Sequence, residues 1–358
     1  MLLSFLPLHA LALVAVAPQR VAIVTGASRG IGKGMAIELG RAGFCVHCVG
    51  RSSRASGQTT ERAVAADAGE LTVDATAEAV TAAGGRGVAV AADLSEEAAV
   101  NQLVEAVRRD EGRLDVLVCS AFTTPPDLAN AAFRDDFWKQ GAEMWDACHN
   151  VGLRSVFLAC CAASPLMIET AKASGDTPLI ALISSFGGKA YTFNVPYGVG
   201  KAAVDRLASD MALQLRPHGV ATTVLYPGVV RTEGNVEMDA RGEWAEASGG
   251  LDLAGGETPA FTGRALTAYM GIGSEALLER SGEVQVVAEL ARELDFVDSD
   301  GRRPPSIRSL AFILPEFVFP QVEAESGKPV PRWIRENVPD VLLPWSVFTS
   351  GPPPTANQ

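Results

Sequence analysis

Histidine is scarce in this chain: His9, His47, His149 and His218 are the only four in 358 residues, and no two stand at the spacing of a structural zinc site. Metal-dependent chemistry is therefore not expected, and no metal ligand is assigned. Cysteine is thin as well. Cys45, Cys48, Cys119, Cys148, Cys160 and Cys161 fall mostly in segments that read as buried strands or helices, which points to reduced core thiols. The string Cys45-Val46-His47-Cys48 has no second Cys or His pair to complete a site. Positive charge is in short supply, with 30 Lys and Arg against 42 Asp and Glu and a formal net charge of -12. Binding a phosphate backbone needs clustered cations that release counterions, so nucleic acid is not an expected partner. A bilayer crossing takes about twenty apolar residues. Leu2 to Ala17 is uncharged and mostly apolar, but it is shorter and carries Pro7 and His9. No basic residue precedes it as in a signal peptide, although Ala15-Val16-Ala17 resembles a cleavage site. Residues 1–19 are thus either an unstructured start or a membrane-seeking anchor.

Glycine (35 residues) and apolar residues (47%) are plentiful, as in a compact α/β chain with many tight strand-to-helix turns. From Val21 onward, short β-branched runs alternate with longer stretches of helical period. The runs Val21 to Thr25, Phe44 to Val49, Gly87 to Ala91, Leu114 to Cys119, Leu179 to Ser184, Val220 to Tyr226 and Glu283 to Val287 predict seven strands. Ile31 to Ala42, Ser95 to Asp110, Met144 to Thr170 and Pro196 to Leu215 predict helices covering both faces of the sheet. The fold class is α/β: a doubly wound, seven-stranded parallel sheet of the Rossmann type, one domain over residues 20–291. Ser52 to Leu71 reads as an insertion. Residues 292–358, rich in proline and aromatics, read as a C-terminal extension packing on the core.

The first strand runs into Thr25-Gly26-Ala27-Ser28-Arg29-Gly30-Ile31-Gly32 and then a helix. Gly26, Gly30 and Gly32 let the backbone approach a pyrophosphate, and the helix start supplies free N–H groups and the positive dipole end. Ser28, Arg29 and Ile31 belong to the same turn. The second strand ends at Val49-Gly50-Arg51, where an NAD-specific protein would place a carboxylate for the ribose 2′-hydroxyl. Arg51, with Arg29, suits the extra phosphate of NADP(H) instead, ahead of NAD(H). Asp93 is placed to accept from the adenine amino group, and Ser120 follows the fourth strand on the same side. Tyr226-Pro227-Gly228-Val229-Val230-Arg231-Thr232 supplies a turn and a hydroxyl for the nicotinamide carboxamide, through Pro227, Gly228, Val230 and Thr232.

Tyr197 and Lys201 stand four apart at the start of a predicted helix, hence on one face. A phenol of ordinary pKa about 10 exchanges its proton poorly near neutrality, and an adjacent ammonium is expected to lower that pKa. Lys201 also suits the nicotinamide ribose. Ser185, closing the fifth strand twelve residues before Tyr197, can hydrogen-bond a carbonyl oxygen. Ser185, Tyr197 and Lys201 are the expected catalytic residues, acting on a small-molecule carbonyl or alcohol.

With these motifs in place, the chain from about Arg20 to Val287 resembles the short-chain dehydrogenase/reductase superfamily. The strings Phe193 to Ala203, Asn150 to Arg154, Met144-Trp145-Asp146 and Ser281 to Val284 resemble one subgroup within it. The resemblance implies an NADPH-dependent reductase of steroid-like and xenobiotic carbonyls associated with the endoplasmic reticulum, in a superfamily whose helices flanking the active site commonly form homodimers; apart from it, the apolar start and aromatic tail suggest peripheral membrane association, with a cytoplasmic location as the alternative. The same residues permit alcohol oxidation. Two departures bear on mechanism. Cys119-Ser120-Ala121-Phe122 replaces the family's Asn-Asn-Ala-Gly, and Gly152 stands where the family has an asparagine that fixes a water in the proton relay, with Asn150 turned elsewhere on the helix. Those losses leave a weakened, nucleotide-binding scaffold as the alternative. The substrate pocket is expected between Phe122 to Trp145 and the segment after Thr232, with Phe122, Phe133, Phe137 and Trp138 either walling it or buried in the core.

Overall fold

The alternating apolar strand Val21–Thr25 (β1) puts Val21 and Ile23 into one core and Ala22 and Val24 into another, because successive side chains leave opposite faces of a sheet. The same division runs across Cys45–Gly50 (β2), Arg86–Ala91 (β3), Val116–Cys119 (β4), Leu179–Ile183 (β5), Ala221–Tyr226 (β6) and Val284–Val286 (β7). All pairings are parallel, in the order β3-β2-β1-β4-β5-β6-β7. Each strand lies within a residue or two of its predicted bounds. This computed structural model describes residues 18–55, 70–123 and 135–349. The apolar start, most of the Ser52 to Leu71 insertion, and Phe133 lie outside the described residues.

One face of the sheet is covered by Gly30–Arg41 (α1), Val73–Ala82 (α2) and Pro259–Met270 (α8), the other by Glu97–Glu111 (α3), Ser155–Ser174 (α5) and Val195–Leu215 (α6). The predicted helix Met144 to Thr170 is in fact two. Phe137–His149 (α4) passes through a π-helical turn at Asn150–Arg154 into α5, a widening that apolar periodicity does not announce. Glu233–Ala240 (α7) follows β6 and crosses toward the glycine loop. The extension after residue 292 packs back on the domain. Ser309 bridges Leu342, Arg308 is held by Glu289, and Trp345 stacks on Phe186 with ring centroids 6.1 Å apart.

The α1–α8 contact is backbone on backbone. A Cβ on Gly34 would lie 2.1 Å from the Pro259 carbonyl oxygen, and one on Gly263 would lie 2.9 Å from the Met35 Cα. Helix propensity alone would make Gly34→Ala stabilising by about 1 kcal/mol. Because the opposing atoms are main chain and cannot swing aside, the clash wins. Gly34→Ala is expected to destabilise by about 1–3 kcal/mol, read as a lower urea midpoint at unchanged slope.

Candidate active site

The sheet reverses its winding between β1 and β4, and the carboxyl ends of those two strands meet there. Gly26, at φ +69, is so close to the β4 loop that a Cβ would fall 2.8 Å from the Ala121 Cα; one on Gly32 would fall 2.3 Å from the Gly26 carbonyl oxygen. The junction is tied by one hydroxyl. Thr25 Oγ1 accepts from the Ser120 and Ala121 amides at 3.1 and 3.3 Å and donates to the Val118 carbonyl at 3.2 Å.

Ser28 is buried, whereas Arg29 and Ile31 are half-buried. The Gly30 amide, first in α1, donates to Glu233 Oε2 at 2.7 Å, and Lys33 Nζ lies 3.8 Å from Glu233 Oε1. An anion therefore already sits where helix start and dipole favour one. A glycine cradle with no room for side chains, holding a carboxylate on its amide, fits a dinucleotide pyrophosphate. At the adenosine end Arg51 is exposed beyond β2. Asp93 is exposed, and its Oδ1 takes the Ser95 amide (3.0 Å) and hydroxyl (2.8 Å), so the carboxylate expected to face adenine also holds the turn into α3. Arg54 is engaged by Glu70 and Glu78.

The Asn194 side chain caps α6 by accepting from the Tyr197 amide at 2.8 Å, and Pro196 fits the first helical turn. This presents Tyr197 at the helix start. Its hydroxyl donates to Ser185 Oγ at 2.8 Å, and one turn on Lys201 Nζ donates to the Ile183 carbonyl at 3.1 Å. Ser185, Tyr197 and Lys201 are thus gathered at the carboxyl end of β5. The expected lowering of the phenol pKa is not what the geometry gives. Burial pushes Tyr197 up to about 12 against the opposing hydrogen bond to Ser185. Burial also lowers Lys201 to about 8, with Asp205, one turn further along α6, pulling it back up. Asp205 in turn accepts from the Tyr226 hydroxyl and lies 3.8 Å from Lys189. Spacing could have flagged Asp205, since it stands four beyond Lys201; Tyr226 and Lys189 carried no such signal.

Phe122 settles the Gly152 departure. A Cβ on Gly152 would meet the Phe122 ring at 2.8 Å; the ring stands edge-on to Tyr197 at 5.8 Å and 5.0 Å from Lys201 Nζ. An aromatic edge, not an amide, fills the place beside the π-helical turn. Asn150 is exposed. Phe193, at φ +63, sets a second ring 5.4 Å from Tyr197 and is one of two non-glycine residues with positive φ among those described. Phe137 and Trp138 are 58% and 69% exposed and pack on each other, so neither is a core residue.

The turn after β6 is held from behind. Val230 is buried, and Thr232 Oγ1 accepts from the Asn235 amide at 3.2 Å, capping α7, so the hydroxyl expected at the carboxamide already serves a helix. Pro227 and Gly228 follow β6 directly, and a Cβ on Gly228 would lie 2.8 Å from Glu257 Oε1. Far from this end, Cys45, His47 and Glu111 bring their ligand atoms within 4.8 Å of one another, joining Glu111 to the Cys45-Val46-His47-Cys48 string. Arg86 already neutralises Glu111, and burial pushes Cys45 up to about 12 and lowers His47. Hydrogen bonding accounts for it.

Glu233 and a pyrophosphate would compete for the Gly30 amide. Charge at a helix start is worth about 0.3–1 kcal/mol, so Glu233→Gln should tighten dinucleotide binding about two- to fivefold in a fluorescence titration. Weaker binding would show that the carboxylate supports the loop instead.

Residues 20–242 match the family described as short chain dehydrogenase. Dehydrogenase/reductase SDR family member 1 of Mus musculus is 38% identical over 306 residues, covering 84% of this chain and 90% of that protein, and its Homo sapiens counterpart is 38% identical over 300 residues, covering 82% and 88%. Among solved structures, a short chain dehydrogenase from Mycobacterium paratuberculosis bound to NAD superposes with a TM-score of 0.59 at 22% identity, over 75% of this chain and 96% of that one. A 3-oxoacyl-[acyl-carrier protein] reductase from Brucella melitensis in complex with NAD gives 0.59 at 22%, over 76% and 96%. At that identity the likeness shows the fold. With the match across the glycine loop and Tyr197–Lys201, the chain belongs to the short-chain dehydrogenase/reductase family of NAD(P)-dependent oxidoreductases.

Proposed function

We propose that this protein is an NADPH-dependent carbonyl reductase for apolar ketones or aldehydes of steroid-like or xenobiotic type. The observation that carries the reading is the Tyr197–Ser185 hydrogen bond of 2.8 Å with Lys201 one helical turn away. Bound NADPH supplies the hydride. Ser185 and Tyr197 present two hydroxyls to the substrate oxygen, and Tyr197 gives its proton to that oxygen as negative charge develops there. The Lys201 ammonium stabilises the phenolate left behind. Phe122 and Phe193 flank Tyr197 with apolar rings and suit an apolar substrate.

Reduction is the favoured reading because burial holds Tyr197 as the protonated phenol, the form that can give a proton to a carbonyl oxygen; the same residues serve alcohol oxidation in reverse. NADPH over NADH is supported by Arg51 and Arg29 at the adenosine end and by the missing carboxylate after β2.

Replacing Tyr197 with Phe should cost about a hundredfold or more in turnover while sparing coenzyme affinity. Unchanged turnover would defeat the mechanism, and tight NADPH binding by a wild type that reduces no carbonyl would instead favour the scaffold alternative. Because Lys201 must keep its charge, kcat/KM for reduction should be flat at neutrality and fall as pH rises through about 8. In Lys201→Arg, whose guanidinium stays charged, that alkaline limb should vanish. Arg51→Ala should raise KM for NADPH about tenfold or more, the worth of one charge-assisted phosphate contact, with KM for NADH unmoved. An equal rise for both coenzymes would remove the 2′-phosphate assignment.

A further inference from the structure

Glu257 is 1% exposed, and neither carboxyl oxygen has a hydrogen bond of good geometry. An enclosed carboxyl approached by the Gly228 amide but without a well-aligned hydrogen bond is a rare liability in a folded protein and calls for a reason. Its place in the fold supplies one. Glu257 lies beside the turn after β6: its amide donates to the Val229 carbonyl at 2.6 Å, and its own carbonyl accepts from the Arg231 amide at 2.8 Å. These two bonds pin the residue on both sides of Val230, and the side chain ends directly behind Gly228, whose missing Cβ leaves the space that Glu257 Oε1 uses.

The C-terminal extension holds this arrangement from below. Asp298 accepts from the Thr258 amide at 2.7 Å and from the Thr258 hydroxyl, and Arg302 donates to the Ala254 and Gly256 carbonyls, both at 3.1 Å. The charged groups around Glu257 are therefore Asp298, Arg302 and the Arg231–Asp300 pair. None forms an ion pair with Glu257 among the described residues. Burial, reinforced by Asp298, pushes the carboxyl up to about 8 even though the Gly228 amide favours the charged form, so the neutral acid prevails at pH 7.

We propose that Glu257 is a positioning residue for the nicotinamide half of the coenzyme: its carboxyl, wedged behind Gly228, sets the backbone of Pro227 to Val230 against which the carboxamide docks. The inference rests on the coenzyme reading above and adds to it a residue outside every motif of the sequence. The wedge acts on one half of the dinucleotide only, since the glycine loop and Arg51 serve the other half.

The test separates the halves. Dissociation constants are measured by fluorescence or calorimetry for NADPH and NADH, and for 2′,5′-ADP and ADP-ribose, which lack nicotinamide. Glu257→Ala should weaken the preferred dinucleotide about tenfold or more while moving its fragment by about twofold or less. Glu257→Gln, which keeps the shape of the neutral acid, should restore binding to within about threefold of wild type. Gly228→Ala approaches the same contact from the turn side and should show the same selective loss, which covers the case of an unfolded Glu257→Ala. Equal losses for dinucleotide and fragment, or no loss in either alanine variant, would overturn the proposal while leaving the coenzyme reading intact. A wild type that binds neither dinucleotide would remove both.

Discussion

β1 and β4 pair as far as Thr25 and Cys119, the Thr25 hydroxyl ties the loop just beyond them, and the site is built around that seam. Thr25 Oγ1 draws the Ser120 and Ala121 amides inward, which brings Ala121 against Gly26 and leaves no space for any side chain at Gly26. Parallel strands splay where a doubly wound sheet reverses direction, and the resulting crevice is where such folds take ligands. Here the seam sets Gly26 of the glycine loop against Ala121, whose neighbour Phe122 reaches Tyr197 and Lys201. Coenzyme end and catalytic end are thereby joined by one short loop.

On the catalytic side the governing physics is desolvation. Tyr197 and Lys201 are both pushed toward their neutral forms, the phenol upward and the ammonium downward, in surroundings of aromatic edges and main-chain carbonyls. Asp205 opposes this for Lys201 from one helical turn away, at the cost of its own burial, which Tyr226 and Lys189 relieve. The family's water-holding asparagine has no counterpart in this frame. Its place is filled by the Phe122 ring because Gly152 makes room, and the two departures noted in the sequence are one structural change seen from the loop after β4 and from the π-helical turn.

The C-terminal extension is part of the same construction. Trp345 lies on Phe186, the neighbour of Ser185, and on Tyr226, the last residue of β6, while Asp298 and Arg302 fasten the segment that carries Glu257. Both contacts reach the ends of strands that carry site residues.

Much of this was legible in the sequence by itself. Strand and helix periods are local, so Val21–Thr25 and the six strands after it could be read from alternation, and the motifs around Gly26 to Gly32, Ser185, Tyr197 and Lys201 announce chemistry because their spacing is set within one turn or one helix. Tertiary packing decided what lies between distant segments: Glu233 on Gly30, Phe122 in the room left by Gly152, Glu257 behind Gly228. It also decided the protonation of Tyr197, which the Tyr-x-x-x-Lys spacing predicted in the wrong direction because spacing counts neighbouring charge and is blind to lost water. Local pattern fixes which residues stand ready; burial and contact across the sheet, which depend on how remote parts of the chain pack, fix what state they are in.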